Sequence, residues 1–519
     1  MKTNKYILFI LAALCFVSCF EDASTDMINP ISDIFIDGNS IEKVYDIQKN
    51  DSLIIEPIVT QTEENLPLSY AWELDQEIFS TEKAFRYKGT QLGSFDGRLI
   101  VSNEDGKAFF TFTLNVNSPY EYGITVLSKD ADGYPHIAFM QEPMKAGDEK
   151  KFYDENCIEK NNPEEVFAST PADIIHTKGT LLLACQGKDG DAEDTPTIYF
   201  LNEKTFVVED FIKSKDYPNF KPTKLLIPQG NYEGVSYPVL SADGKMYSLP
   251  ASNPVLQPHH KLTSTYAQTG FAVGSDTEFD IIIWDKEVNG LICLYNGYGP
   301  FYCGEKYLLT RDSLETDKNY YVKYFKPLKE VCALIPINKT TEDLAKSRRE
   351  FITIVKANTM QSKAIFANFF WQDVDGTGRN YNVLDNGGFS QVAKNKNYAG
   401  ISNNTPCVAN STYQTLLFAK GNSVMKWNYV QTGKENYIDQ KSENLLTVGS
   451  SKEAVITSFD ISEDHKKTYV AFYEPNQEGK NGSVWVFNTD TGEVLEQYNN
   501  VCYQPVKMFY KKKAERKKK

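Results

Sequence analysis

The chain of 519 residues is poor in the groups that most enzymes and metal sites use. It has five histidines, His136, His176, His259, His260 and His465. None stands in an HExxH pattern or at ligand spacing from a second histidine. His259 and His260 are adjacent, and neighbours on a strand point to opposite faces, so this pair reads as surface loop. No two cysteines stand in CxxC spacing, which removes zinc-ribbon sites. GxSxG and Walker A patterns are missing, so serine-hydrolase and nucleotide chemistry lack their residues. Helical periodicity is scarce as well. Its best instance, residues 340–354 (TTEDLAKSRREFITI), has a capping Thr340 and an acidic first turn and predicts one short helix.

What is present is ordinary in bulk and unusual in detail. Hydrophobic residues make up 41% and charged residues 24%, as in globular proteins, and the length suits two or three domains. Tyr and Phe number 31 each, which favours strands or ligand-facing surfaces. Net charge is −14. The last nine residues, 511–519 (KKKAERKKK), read as a solvated, disordered basic tail. Without that tail and without Lys2 and Lys5, the body carries about −22, a charge that repels nucleic acid and anionic membrane surfaces. Beyond Cys15 and Cys19, seven cysteines remain, too few and odd in number for a disulfide scaffold. Buried free thiols are expected for most of them. Cys293 and Cys303, which flank the turn-rich LYNGYGPFY, are the one disulfide candidate.

The N-terminus reads MKTNKYILFILAALCFVSCFED. Lys2 and Lys5 precede an apolar run of about a dozen residues, short of the roughly 20 that span a bilayer and fitting a secretory leader. The end of the run, Val17-Ser18-Cys19, resembles a bacterial lipobox, with Phe16 where that pattern prefers Leu. The resemblance implies a signal peptide over 1–18, cleavage before Cys19 and a diacylglyceryl anchor on its thiol. The alternative is an ordinary cleaved leader with an incidental cysteine. Phe20-Glu21-Asp22 resembles the surface-export signal of Bacteroidota lipoproteins, and residues 19–27 read as a polar tether.

Short apolar or alternating runs split by Gly, Asn, Asp and Pro predict an all-β protein. Residues 28–117 hold such runs at 52–60, 68–74, 97–102 and 108–116, enough for one immunoglobulin-type β-sandwich with Trp72 in its core. From 118 to 510, strand–turn–strand units recur at 197–211, 280–295, 423–438 and 483–498. At roughly 45–55 residues per four-stranded blade they predict a β-propeller of seven or eight blades. The segment Tyr70-Ala71-Trp72-Glu73-Leu74, the closing strand 110–116 and the whole layout resemble the PKD-like family of Bacteroidota lipoproteins. Residues 75–77 depart from it, reading Asp-Gln-Glu where Gly-Asp-Gly is common. The resemblance implies an outer-membrane lipoprotein that assists a nutrient transporter.

Candidate sites follow from residue chemistry. Sugars stack on Trp and Tyr while carboxylates hold their hydroxyls. Trp371, which closes the strand 365–371 before a polar loop, is the best stacking candidate, and Tyr298 and Tyr302 are the second. Trp284, Trp427 and Trp485 lie inside apolar strands and read as core. Asp373 and Asp375 (DVDG) are the calcium candidate, since oxygen-rich loops bind that ion; 188–194 (KDGDAED) is a weaker one, and neither has EF-hand spacing. No catalytic motif is recognisable and no cofactor other than calcium is implied. The expectation is therefore a surface lipoprotein that binds an extracellular glycan or peptide, held to the membrane through its N-terminal lipid. The alternatives are a propeller enzyme acting on polysaccharide and a scaffold that docks an outer-membrane transporter or secreted hydrolase.

Overall fold

The structure is a computed structural model. It describes residues 31–512 except 63–65, 142–152, 178, 215–216, 218, 228–235, 251–254, 259–265, 275–278, 286–289, 297–308, 311–329, 341–348, 359–360, 374–379, 392–400 and 430–437. From 257 to 400 it describes backbone pairing, with side chains only at 333–340 and 352. The chain divides into two compact units, Met1–Ser118 and Pro119–Lys519.

The first unit has nine strands: β1 (Ile34–Ile36), β2 (Val44–Gln48), β3 (Ser52–Ile55), β4 (Val59–Gln61), β5 (Ser69–Leu74), β6 (Glu77–Ser80), β7 (Phe85–Lys88), β8 (Gly93–Ser102) and β9 (Lys107–Asn117). One five-stranded sheet has the order β2-β9-β8-β5-β6, with β2 parallel to β9. The pairs β1–β4 and β3–β7 complete the unit. Residues 52–60, one strand on their apolar run, form two strands in different pairs, because Pro57 cannot donate to a ladder. Trp72 is fully buried beside Phe85 and Phe112, with ring centroids 5.1 and 6.0 Å away. Its Nε1 donates to Glu82 O at 3.0 Å, so burial leaves no orphaned donor. Gly97 faces Phe112 across the β8–β9 ladder, and a Cβ there would stand 2.3 Å from the ring. The β5–β6 hairpin turns on Asp75 and Gln76, both at positive φ, so the type I′ geometry is met without glycine. Asp75 Oδ1 steadies it by accepting from Asp96 N at 2.8 Å.

The second unit is a succession of antiparallel meanders. The first sheet holds β10 (Gly123–Lys129), β11 (Pro135–Gln141) and β12 (Tyr153–Asp154), followed by a short helix α1 (Cys157–Asn161). The second holds β13 (Pro171–His176), β14 (Thr180–Cys185), β15 (Thr197–Asn202) and β16 (Val208–Lys213). β17 (Pro222–Leu225), β18 (Ser236–Ser241), β19 (Met246–Pro250) and β20 (Gln257–Pro258) make the third. The fourth has β21 (Tyr266–Gly274), β22 (Phe279–Asp285) and β23 (Gly290–Asn296). After β24 (Leu309–Thr310), the fifth runs through β25 (Glu330–Asn338), β26 (Arg349–Asn358), β27 (Gln361–Asp373) and β28 (Asn380–Gln391). The sixth has β29 (Cys407–Asn410), β30 (Thr415–Lys420), β31 (Ser423–Asn428) and, after a helical turn α2 (Ile438–Lys441), β32 (Glu443–Thr447). The seventh is β33 (Val455–Ile461), β34 (Lys467–Tyr473), β35 (Gly482–Asn488) and β36 (Val494–Cys502). The final strand, β37 (Gln504–Lys511), starts no new sheet. It returns to the first one beside β10, with Val126 opposite Met508, giving the order β12-β11-β10-β37.

In the first, second, sixth and seventh sheets both faces are covered by neighbouring apolar side chains, so strands read as continuous apolar runs. On β14, Leu181, Leu183 and Cys185 pack with the first sheet, while Leu182 and Ala184 pack with the third. Further round, Ile335 and Ile352 meet Leu416 and Trp427. Leu417 and Val424 meet Val470 and Phe472. Tyr469 and Val484 of the seventh sheet meet Ile124 and Val126 of the first. The first strands of the fifth and sixth meanders pair in parallel, Ile337 opposite Ala409, which joins them into one nine-stranded sheet from β24 to β32. Meanders stacked face to face, closed by the last strand on the first sheet, make this unit β-propeller-like.

Three expectations need correction. Residues 349–354 belong to β26 rather than to a helix: Ile352, Thr353 and Ile354 suit a doubly paired central strand, and that tertiary pairing overrides the capping signal. In the unit at 423–438 the second strand lies later, at β32, because Ile438–Lys441 is helical. Lys511, assigned to the tail by its charge, is the last residue of β37 and only 2% exposed. Its Nζ donates to Tyr120 O at 2.6 Å and to Glu203 O, and burial lowers its pKa to about 8.

Trp72→Ala should remove about 3–5 kcal/mol from the first unit. Urea titration should show an earlier transition for that unit, with the near-UV signal of the second unit unchanged below its own transition.

Candidate functional site

The innermost strands share an irregularity. On five innermost strands, β13, β17, β25, β33 and β37, one extra residue stands against the partner: Ala172, Thr223, Cys332, Thr457 and Val506. A bulge re-aims the side chain beside it. The residues that follow the five bulges are Asp173, Lys224, Ala333, Ser458 and Lys507. Three of them stand two places after a proline, in Pro171-Ala-Asp173, Pro222-Thr-Lys224 and Pro505-Val-Lys507. Proline is at home there, because the open edge of an innermost strand needs no ladder donor.

Asp173 ties three innermost strands together. Its Oδ1 accepts from Ile174 N at 2.9 Å and from Lys507 Nζ on β37. Its Oδ2 accepts from Leu225 N on β17 at 2.7 Å. The residue is 3% exposed, so this carboxylate replaces lost water with two backbone donors and one ammonium. Ser458 plays a similar part on β33, its Oγ accepting from Met508 N at 3.0 Å. Asp460 accepts from Tyr510 N at 2.6 Å.

Lys224, Cys407, Asp460 and Lys507 are each partly open to water, although they sit on innermost strands. Burial lowers the pKa of Lys224, the charge of Asp173 opposes that shift and the charge of Lys507 adds to it. Burial pushes the Cys407 thiol up to about 12 against the pull of Lys224. Lys224 is on the third sheet and Cys407 on the first strand of the sixth. Burial also raises the Asp460 carboxyl to about 6, over the opposing N–H groups of Tyr510 and Ile461 and the charges of Lys512 and Lys507. These groups define a charged lumen at the centre of an apolar frame.

A second polar feature lies at the outer edge of the first sheet. A shallow depression of ≈ 680 Å³ is lined by Tyr153, Asp154, Glu155, Asn156, Glu159 and Lys160. Its groups bind one another: Asp154 accepts from Tyr120 Oη at 2.6 Å and pairs with Lys160 at 3.1 Å. Nearby, His136 lies between Asp130, at 3.1 Å, and Glu159. Burial acts to lower the His136 pKa, but the two carboxylates outweigh it and leave it raised. This constellation locks α1 to the β10–β11 hairpin.

The candidates from residue chemistry fall elsewhere. Trp371 and Asp373 are on β27, where only backbone pairing is described, opposite Asn382 and Asn380. Cys293 is on β23 opposite Ile282. Tyr298, Tyr302, Cys303 and Asp375 lie outside the described residues, as does Cys19. Cys157, Cys185, Cys407 and Cys502 are free thiols. Trp427 is buried, whereas Trp485 is half-buried and donates from Nε1 to Asn499 at 2.9 Å. In the loop 188–194, Asp191 closes a turn by accepting from Glu193 N at 3.0 Å, and Asp194 ties the loop to Ser169, accepting from its N at 2.9 Å. Among the described residues no group of three or more His, Cys, Asp or Glu side chains is placed to hold a metal ion.

No protein-family profile and no curated protein matches the chain. Solved structures with a similar course include a quinoprotein alcohol dehydrogenase-like protein of Bacteroides thetaiotaomicron VPI-5482, at 15% identity and TM-score 0.41, covering 93% of this chain and 99% of that one. The periplasmic gluconolactonase PpgL of Pseudomonas aeruginosa matches at 12% identity and TM-score 0.42, over 76% of this chain and 99% of that one. Sqt1 of Saccharomyces cerevisiae matches at 9% and 0.38, over 74% and 86%. These are distant likenesses, and what those proteins do stays with them.

Asp173→Ala should destabilise the second unit by about 3–5 kcal/mol, because it strands a lysine and two edge N–H groups, and Asp173→Asn should cost less. Denaturant unfolding separates the two. Asp460 has a folded pKa of about 6 against an ordinary 3.8. The folded state therefore holds more protons than the unfolded one between those values, and stability from this group falls as pH rises through the window. Asp460→Asn should abolish that fall, read as Tm at pH 4.5 and pH 7.

Proposed function

We propose that the chain is a lipid-anchored outer-membrane surface protein whose seven-bladed propeller presents a platform for an extracellular ligand, a glycan or a peptide, in support of nutrient uptake. Cys19 carries the lipid, the segment after it is a tether, and the first unit is a PKD-like, immunoglobulin-type spacer. The supporting residues are the leader, Val17-Ser18-Cys19, the acidic Glu21 and Asp22, and the strand with Trp72 at its centre. An outer-membrane transporter is the partner this layout suits, and nucleic acid is not.

The observation that carries the binding reading is the lumen. Charged groups of both signs converge there from sheets far apart in the chain, behind bulges repeated from sheet to sheet. The Asp173 carboxylate is engaged by Lys507 and two backbone donors, which suits a fixed recess better than a group that must trade protons. The alternative reading is an enzyme that cleaves polysaccharide, in which Asp460, whose carboxyl burial raises to about 6, is the group to test as general acid.

The expected result is a membrane-extracted chain that starts at Cys19 with acyl mass and is lost when intact cells are shaved with protease. Neutral and acidic glycan arrays and peptide arrays should then show binding without product. An unlipidated chain, or one protected from shaving, would sink the uptake reading; polysaccharide cleavage that is lost in Asp460→Asn would replace binding by catalysis.

A further inference from the structure

The constellation around His136 is built for one charge state. We infer that it is a proton-operated latch: the imidazolium of His136 ties Glu159 of α1 to the β10–β11 hairpin, and loss of its proton releases Glu159 into the depression at the outer edge of the first sheet. The latch is independent of what the ring binds.

Both ring nitrogens of His136 face carboxylates. Nε2 stands 3.1 Å from Asp130 Oδ2 in the β10–β11 turn, and Nδ1 contacts Glu159 Oε1 on α1. A neutral imidazole carries one N–H, so it donates to one of these groups and turns a lone pair on the other. Turning the ring over exchanges the nitrogens and leaves the same deficit. Only the imidazolium donates to both. The ring has little room to leave, since its side chain is 16% exposed and the Tyr503 ring lies 4.5 Å away between centroids. The other bonds of the two carboxylates decide which one goes. Asp130 Oδ1 accepts from Tyr134 N at 2.8 Å within its own hairpin. Both oxygens of Glu159 are buried, and among the described residues the imidazole is their one partner. A buried carboxylate that faces a lone pair is costly, so it is Glu159 that is expelled. Glu159 already lines the depression, and its release needs only a change of rotamer.

The charges around the ring set the direction of the switch. Among the described residues on the packed elements, Lys129 and Asp132 of the hairpin are opposite in sign. Asp154 of β12 pairs with Lys160 at 3.1 Å, Glu155 pairs with Lys480, and Glu496 of β36 accepts from Tyr498 Oη. Asp130 and Glu159 are left to act on His136. Burial works against the charged ring and the two carboxylates outweigh it, so its pKa stands above the ordinary 6.5. The stability this group supplies is therefore complete below 6.5 and is lost as pH rises through the raised value. Cys157 and Ile158 stay buried, and Asn162 Nδ2 stays bonded to Phe206 O at 2.9 Å, so the helix loosens without leaving. What loosens is the turn around Glu159, closed by Lys160 N donating to Asn156 O at 3.0 Å.

Histidine-selective NMR on the full chain, with His136→Gln for assignment, would follow the ring. Amide hydrogen exchange, corrected for intrinsic rates, would follow residues 157–162 at pH 6 and pH 9. His136 should titrate between those values, and protection of the Lys160 amide should fall about tenfold across them, the scale of one charge-assisted hydrogen bond. In Glu159→Gln the neutral ring suffices, because Nδ1 accepts from the substituted amide while Nε2 donates to Asp130, so protection should be equal at both pH values. Asp130→Asn should act in the same way through Nε2. Thermal melts establish that each variant is folded, and Asp130→Asn replaces Glu159→Gln if that one is not. A His136 signal that does not titrate in the window, equal protection in the native chain at both pH values, or the same fall in the folded Glu159→Gln variant would each overturn the latch.

Discussion

Pairing of β37 with β10 is the constraint on which the second unit depends. Without it, the seventh sheet would end one face of the stack and β10 would present an open strand edge, the kind of edge that recruits other chains. The closing strand brings the two ends of the unit together, and the entropic penalty grows only with the logarithm of the enclosed length. Against that penalty stand a seven-residue ladder, the burial of Met508 between the first and seventh sheets, and two anchored lysines. Lys507 is tied to Asp173 and Lys511 to the carbonyls of Tyr120 and Glu203. The strand that closes the ring therefore also fixes Asp173 at the centre of the unit.

The second theme is a polar lumen inside an apolar frame. Between sheets, side chains such as Leu182, Val239 and Leu249 exclude water and set the spacing. At the centre, β13, β17, β33 and β37 each have a row of donors and acceptors with no further strand to pair with. Asp173, Ser458 and Asp460 answer the donors of neighbouring strands. Buried ion pairs are expensive to desolvate and seldom add much net stability, so their value lies in holding geometry. Here that geometry holds Lys507 of β37 and the Leu225 N–H of β17 on one carboxylate of β13.

Much of the framework is legible in the residues. The run Thr180-Leu181-Leu182-Leu183-Ala184-Cys185 has no polar face because it is covered on both sides, and Trp72 and Trp427 are buried as their apolar strands imply. The strand–turn–strand units at 197–211, 280–295 and 483–498 match paired strands. The segment 349–354 misled because local helix signals say nothing about partners, and β26 has one on each side. The lumen was illegible for a related reason. A two-residue period treats Asp173, Lys224 and Lys507 as outward-facing strand positions, and a bulge shifts that period by one. The recurring Pro-x-charged triplet was the available signal, and its meaning depends on knowing that each proline opens an innermost strand.

The most direct test of the account is amide hydrogen exchange on β10 and β33 in the full chain and in a chain ending at Tyr503. Loss of β37 should strip protection from residues 124–127 of β10 and from β33, while the first unit keeps its own pattern. Unchanged protection in both strands would contradict closure by β37, and with it the shared origin of the ring and its charged lumen.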